Sequence, residues 1–420
     1  MEVKLKLNLN IRKVFTILIL TLLLIISSTN YYGIKGIDNL AYVVAIGLDV
    51  GDEENLKLSL QISVPNSDDS SSGSSSQSSS VVVNSMDCPS INTGLTLFNS
   101  YLGKEVNLSH CKVLVISEEL AHQGIAEYLY TLINDVQFRS DSNIIISKCD
   151  AKSYLEYSAP VLDKVSARYY KIAPISSEYT GYTESITCNE FLSNITYSSS
   201  EPVAILGSIN TPQTQEIKSE VSNKDVYYTA GQTPISGENG VENMGLAVFE
   251  DDKLIGELNG LESICHLIIS NKLQNAQIRI PSPIENLNYI DLYIELDKST
   301  KSSVFLTNST PYITSEIFIT AKMQSMNRDI NLVDDEVVAK IEKASEEFLE
   351  EKIYNYLYKT SKELHVDIDN FGLYSLKYFW SQDDWKSYNW LHHYKDAFFN
   401  VNVELNLRSS YLLVDTLEGE

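Results

Sequence analysis

Leu56-Lys-Leu-Ser-Leu-Gln-Ile-Ser-Val64 alternates apolar and polar residues with a period of two. Leu56, Leu58, Leu60, Ile62 and Val64 share one face; Lys57, Ser59, Gln61 and Ser63 share the other, which predicts a half-exposed β-strand. Just upstream, Leu40 to Leu48 is almost continuously apolar and suits a central strand. Gly51 and Asp52 lie between the two, so a hairpin joins them. Similar strands recur downstream. Gly245 to Phe249, a turn at Asp251-Asp252-Lys253 and Leu254 to Leu258 predict a second hairpin. Ile290 to Leu296 alternates, and Ile313 to Met323 is a further strand. In the last strand Val401, Val403, Leu405 and Leu407 oppose Asn402, Glu404, Asn406 and Arg408.

Helical patterns are interleaved with these strands. Ile91 to Tyr101 is one. Ser117 is placed to cap another, with Glu118 and Glu119 in its first turn. A long stripe of Val337, Ile341, Ala344, Phe348, Ile353 and Leu357 predicts a helix from Asp334 to about Leu364. Strands that alternate instead of reading as solid apolar runs argue against a doubly wound parallel sheet. The expected fold class is α+β and multi-domain, with mainly antiparallel mixed sheets and packed helices, after an N-terminal apolar signal or anchor helix.

At 420 residues the chain is too long for one ordinary core. Residues 1–30 read as a signal or membrane anchor, 36–205 as an N-terminal α+β domain containing a flexible Ser-rich loop at 67–80, and 206–242 as a polar linker. Residues 243–416 read as a C-terminal α+β domain, either one unit or two subdomains.

The body is acidic, with 32 basic and 56 acidic residues and a net charge of −24. Nucleic acid is therefore excluded as a partner, and so is a body held to anionic lipid by a basic patch. The leader breaks the pattern. Lys4, Lys6, Arg12 and Lys13 precede an apolar run from Val14 to Ile26, then Ser27-Ser28-Thr29, the layout of an export signal. As a helix that run spans roughly 20 Å, against about 30 Å for a bilayer core. A cleaved signal and a short anchor both fit, and either way the basic flank stays cytoplasmic while the remainder crosses. The five cysteines, Cys88, Cys111, Cys149, Cys188 and Cys265, form no CxxC pair and are expected as buried free thiols.

Signatures of catalysis are missing from the sequence. There is no phosphate-cradling glycine loop, no HExxH and no GxSxG elbow. Asp367-Ile-Asp369-Asn-Phe371-Gly372 superficially resembles a calcium loop but fails where Phe371 and Tyr378 sit, so a helix-terminating turn is expected. His110 beside Cys111, and His392 beside His393, point apart in most local structures. No catalytic residue, cofactor or metal site is expected. An aromatic cluster from Tyr378 to Phe399 holds all three tryptophans. Such density fills a core more often than it marks a surface. The second reading, an interaction surface carried by Trp385, Trp390 and Phe398, stays open.

Four blocks in register resemble the Ger(x)C family of spore germination proteins. They are Gly36-Ile-Asp-Asn-Leu40-Ala-Tyr-Val-Val-Ala-Ile-Gly47-Leu-Asp49; Asn107-Leu-Ser-His110-Cys-Lys-Val-Leu-Val115-Ile-Ser-Glu118-Glu119, with Phe138-Arg139 after it; Gly245-Leu-Ala-Val-Phe249-Glu-Asp-Asp-Lys-Leu254-Ile-Gly256-Glu-Leu258, with Glu262 after it; and Val366-Asp367-Ile-Asp-Asn-Phe371-Gly372, with Trp385, Trp390 and Phe398 after it. The resemblance implies a non-catalytic subunit of a spore nutrient-germinant receptor. Its implied place is the extracytoplasmic face of the spore inner membrane, beside an integral-membrane subunit and a transporter-like subunit. One departure stands out. The place of the family's lipobox cysteine reads Asn30-Tyr31-Tyr32-Gly33, and no cysteine precedes Cys88, so the usual lipid attachment is not available. The N-terminal segment itself, or a partner, is then expected to hold the protein at the membrane. The competing class is an exported solute-binding module that captures the germinant directly.

Overall fold

The computed structural model describes residues 13–24, 39–64, 81–158, 170, 177–196, 200–210, 228–235, 240–285, 287–324 and 335–408. The Ser-rich loop at 67–80, Tyr31 and its neighbours, and residues 211–227 of the expected linker lie outside these. Residues 13–24 are helical, with exposed apolar side chains. Among the described residues no helix is long and apolar enough to cross a membrane.

The first sheet contains β1 (Leu40–Val50), β2 (Leu56–Ser63), β3 (Val81–Cys88), β4 (Glu105–Asn107), β5 (Val113–Ser117), β6 (Asn143–Ser147), β7 (Val203–Asn210), β8 (Gly240–Glu250) and β9 (Lys253–Leu258). Its order is β3-β2-β1-β5-β6-β7-β8-β9, with β4 beside the start of β1. Both expected hairpins are present as antiparallel pairs, β1 with β2 and β8 with β9. The centre differs from the sequence reading, because β1, β5, β6 and β7 run parallel. A parallel centre needs cover on both faces. One face carries the main core; the other carries a smaller one built from Val44, Ala45, Val113, Ile145, Tyr154 and Leu155.

That second cover corrects the half-exposed reading of β2. Ser59 and Gln61, placed on the solvent face by the alternation, are buried. They are polar yet satisfied on one side each. The Ser59 and Ser85 hydroxyls lie 2.7 Å apart, and Gln61 Nε2 donates to the Leu155 carbonyl at 2.9 Å. Leu155 belongs to α4, so the helix opposite the main core is what buries them.

The helices of this half are α1 (Ile91–Leu102), α2 (Glu118–Gln123), α3 (Ala126–Ile133), α4 (Ala151–Tyr157) and α5 (Cys188–Thr196). The Ser117 hydroxyl accepts from Leu120 N–H at 3.4 Å, the cap expected from sequence. Gly47 and Asp49 of β1 seat α4. A Cβ on Gly47 would lie 3.0 Å from Leu155 Cδ1 and 3.1 Å from Ser59 Cβ. The Asp49 carboxylate takes Ala151 N–H at 2.6 Å and Lys152 N–H at 3.1 Å, capping a helix about a hundred residues away. The strand β7 reaches Asn210, and β8 and β9 complete this same sheet, so the polar stretch begins later than residue 206.

The second half contains α6 (Gly260–Ile269), β10 (Ala276–Pro281), β11 (Tyr289–Thr307), β12 (Thr310–Met323), α7 (Asp335–Tyr358), α8 (Phe371–Ser375), α9 (Gln382–Tyr388), α10 (Trp390–Tyr394) and β13 (Phe398–Arg408). Its sheet runs β10-β11-β12-β13, antiparallel except for the parallel pairing of β12 with β13. The free edge of β13 is closed by α7. Glu342, Glu346 and Glu350 accept from the N–H groups of Leu407, Leu405 and Val403, each at 2.9 Å. Four helical residues rise about 6.0 Å and two strand residues about 6.7 Å. A glutamate on each turn therefore meets every second N–H of a strand running the opposite way.

The helix α6 joins the halves. An Asn259–Glu262 capping box starts it, and Ser263 through Ile269 are all buried. It packs on β8 and β9 on one side and on α7, β11 and β12 on the other. A helix apolar all round needs this kind of burial. One hydrophobic core runs through both sheets along it.

Candidate functional site

The lone charged side chain in the second half of α6, His266, sits at the junction of the two halves. Its Nδ1 is 2.9 Å from Asp369 Oδ1 and its Nε2 is 2.8 Å from Glu184 Oε2. Glu184 arrives from the extended segment before α5. Tyr356 of α7 donates to Asp369 Oδ2 at 2.7 Å, and Lys272 pairs with Glu184. Two carboxylates and two cations thus balance in a cluster drawn from four separate stretches of chain, buried except for the half-exposed Lys272.

The charge states follow from the partners. Burial alone would push His266 down, but the bonds to Asp369 and Glu184 outweigh it and hold the imidazole up at about 9. Burial alone would raise Glu184, and His266 and Lys272 outweigh that in turn, leaving it lowered. The ring donates from both nitrogens. It therefore has no lone pair to take a proton, and the triad's chemistry is that of a clamp.

Next to it lies the Asp367 turn. Asp367 is buried, and its carboxylate accepts from the N–H groups of Asp369 (3.2 Å), Phe371 (3.1 Å) and Gly372 (2.8 Å) and from Trp390 Nε1 (2.8 Å). Burial pushes its carboxyl up to about 7, while the four donors favour its charged form. The calcium-like string is thus a turn, as expected, but one that starts α8 where the sequence reading expected it to end a helix. Asn370 takes φ +61°, a left-handed position that Asn tolerates.

Two clefts open on either side of Asn194 in α5. The larger, about 300 Å³, is lined by Thr183, Glu184, Ser185, Glu190 and Lys272. The smaller, about 230 Å³, is lined by Glu201, Asp251, Trp385, Lys386 and Trp390. Glu201 Oε2 accepts from Asp251 N–H at 2.6 Å, and burial pushes its carboxyl up to about 7.

The residues singled out from sequence fall in different places. Trp385 and Trp390 are buried and stack at 5.9 Å, so they form part of the core while lining the smaller cleft. Phe398 is exposed, away from that pair, stacked on Tyr312. Cys111 donates to the Val113 carbonyl at 3.5 Å, and burial pushes its thiol up to about 12, while His110 lies against Tyr42. All five cysteines are free thiols, four of them buried. Among the described residues no group of three or more His, Cys, Asp or Glu could hold a metal. The sequence reading passed over His266, Glu184, Tyr356 and Lys272. Its available signal was a lone histidine inside the apolar run Ser263-Ile-Cys-His-Leu-Ile-Ile269, which must be buried and so must be paired.

Two family descriptions match the chain in series. The spore germination protein N-terminal domain covers residues 34–209, and the spore germination B3/GerAC-like C-terminal domain covers residues 244–411. The chain belongs to the GerAC-like spore germination family. Spore germination protein KC of Bacillus subtilis (strain 168) is 23% identical over 369 residues, covering 84% of this chain and 85% of that protein. The solved GerBC protein aligns with a TM-score of 0.50 over 86% of this chain and 96% of its own, at 13% identity, so the two share a fold. In this GerAC-like chain the motif positions mark structural seams. Gly47 and Asp49 seat α4, Gly245 (φ +94°) would bring a Cβ within 2.2 Å of the Leu258 carbonyl, Glu262 closes the α6 cap, and Asp367 starts α8.

Proposed function

We propose that this chain is the non-catalytic C-type subunit of a spore germinant receptor. It works by protein–protein contact on the extracytoplasmic face of the spore inner membrane, beside an integral-membrane subunit and a transporter-like subunit. The observation that carries this reading is the match of both family domains, in order, along one chain. The fate of its buried polar groups supports it: His266, Asp49 and Asp367 all spend their bonding capacity on holding elements together. The leader, basic then apolar, supports export, and serves as anchor in place of the absent lipobox cysteine. Residues 36–205 and 243–416 are proposed as the two functional domains. The test is removal of the protein from spores of its own host. Loss of nutrient-triggered germination, restored by the full chain, and co-purification with transporter-like membrane proteins are expected. Normal germination, or recovery only from vegetative cytosol, overturns the reading.

A second reading has one observation in its favour. The 300 Å³ cleft brings Thr183, Glu184, Ser185, Glu190 and Lys272 together, which suits an exported module that captures the germinant itself. A rise in unfolding temperature with added amino acids or sugars supports it, and no rise at millimolar ligand removes it.

A further inference from the structure

We propose that one end of the second sheet is a lipid-contacting surface, which seats the body against the membrane as a second attachment beside the leader. Phe305, Tyr312 and Phe398 are register partners across β11, β12 and β13, so their rings share one face. They are 57%, 43% and 58% exposed, and Tyr312 stacks on Phe398 with centroids 5.1 Å apart. The Tyr378 hydroxyl donates to the Val304 carbonyl at 3.1 Å, which brings a fourth ring beside Phe305. The Lys377 ammonium lies 5.3 Å from the Phe305 ring and 5.2 Å from that of Tyr378. Two residues further, Trp380 is 100% exposed. Contiguous apolar surface of this kind marks an interaction site, where scattered single residues do not.

Three observations favour lipid as the occupant. The first is composition. Tryptophan and tyrosine with an interleaved lysine is the chemistry of the headgroup level, where rings sit between water and acyl chains and an ammonium reaches a phosphate. The second is the leader. Its described helix, residues 13–24, spans roughly 18 Å against a core of about 30 Å. No cysteine occurs before Cys88 to carry a lipid, and an apolar helix shorter than the bilayer core gains from a second contact at the surface. The third is charge. A chain of net charge −24 is repelled by an anionic leaflet, but the charged groups lying against these rings are Lys377 and, 6.0 Å from the Phe398 ring, Lys362. The aromatic end then faces lipid and the acidic remainder faces away.

The inference rests on the membrane placement proposed above and not on the germination role. Its test uses the full chain with vesicles of phosphatidylethanolamine and phosphatidylglycerol, some with brominated acyl chains. Trp385 and Trp390 are buried, so bromine quenching of tryptophan emission reports Trp380. Quenching is expected for the native protein and is expected to vanish in Trp380→Phe. Paired Phe305→Ser and Phe398→Ser changes should weaken vesicle partition about tenfold, with the unfolding temperature unchanged because both rings are exposed. Unquenched emission together with undiminished partition of the paired variant overturns the proposal and assigns the surface to a protein partner. Failure of the full chain to bind vesicles at all overturns both this inference and the membrane placement.

Discussion

His266 donates from both ring nitrogens to buried carboxylates, so its protonation is coupled to folding. Its folded pKa, about 9, is raised above the ordinary 6.5. The stability it contributes is therefore fully present below about pH 6.5 and is lost as pH rises through about 9. Denaturant midpoints measured between pH 6 and pH 10 should fall across that window, and a flat profile would remove the clamp. His266→Ala leaves Glu184 and Asp369 buried without their shared cation and is expected to cost about 3–5 kcal/mol, read from urea unfolding at pH 7. A loss under about 1 kcal/mol would mean that water and Lys272 suffice. At this scale the sequence was half legible. Gly47, Asp49, Glu262 and Asp367 stood out as motif positions, and Ser117 as a cap. What they do was hidden where the partner is remote. Asp49 binds N–H groups at residues 151 and 152, and Glu184 meets a histidine 82 residues on, distances along the chain that no local pattern encodes.

Among the elements, the long helix α7 is visible in its apolar periodicity, but of the expected stripe only Ile341, Ile353 and Leu357 are buried, and Ser345, Leu349 and Tyr356 complete the buried face in place of Val337, Ala344 and Phe348. Its second role, sealing β13, lay on the other residues. Glu342, Glu346 and Glu350 read as a solvated charged face until the strand edge beside them is known. Replacing all three by alanine should expose a row of N–H donors, lower stability by about 2–4 kcal/mol, and let copies associate through the open edge. Light scattering at rising concentration would detect that, while glutamine at the same positions keeps an acceptor oxygen and should stay monomeric. A monomeric, fully stable triple-alanine variant would sink the sealing role. The strand β2 shows the converse limit. Its alternation is plain in the sequence, yet Ser59 and Gln61 at the middle of its polar face are buried, because cover by α4 depends on an element almost a hundred residues away. The parallel centre was missed for the same reason: pairing partners of β1, β5, β6 and β7 are set by the helices between them.

For the whole molecule, the two family domains were legible as two runs of strands separated by a polar stretch, but the sheets divide elsewhere, because β8 and β9, after that stretch, complete the first sheet. The shared core was not legible, since the unbroken buried run from Ser263 to Ile269 does not say which sheet α6 serves. It serves both. Heating should accordingly unfold the described body in one cooperative transition, with calorimetric and van't Hoff enthalpies agreeing. Two resolved peaks would show that the halves unfold separately despite α6. If the single peak is found, a further property comes with it. A spindle gripped on every side by close-packed side chains has no slack to absorb torque. Whatever pulls on the second sheet must turn the first by the same angle, and the body passes on displacement like a crank, not a hinge.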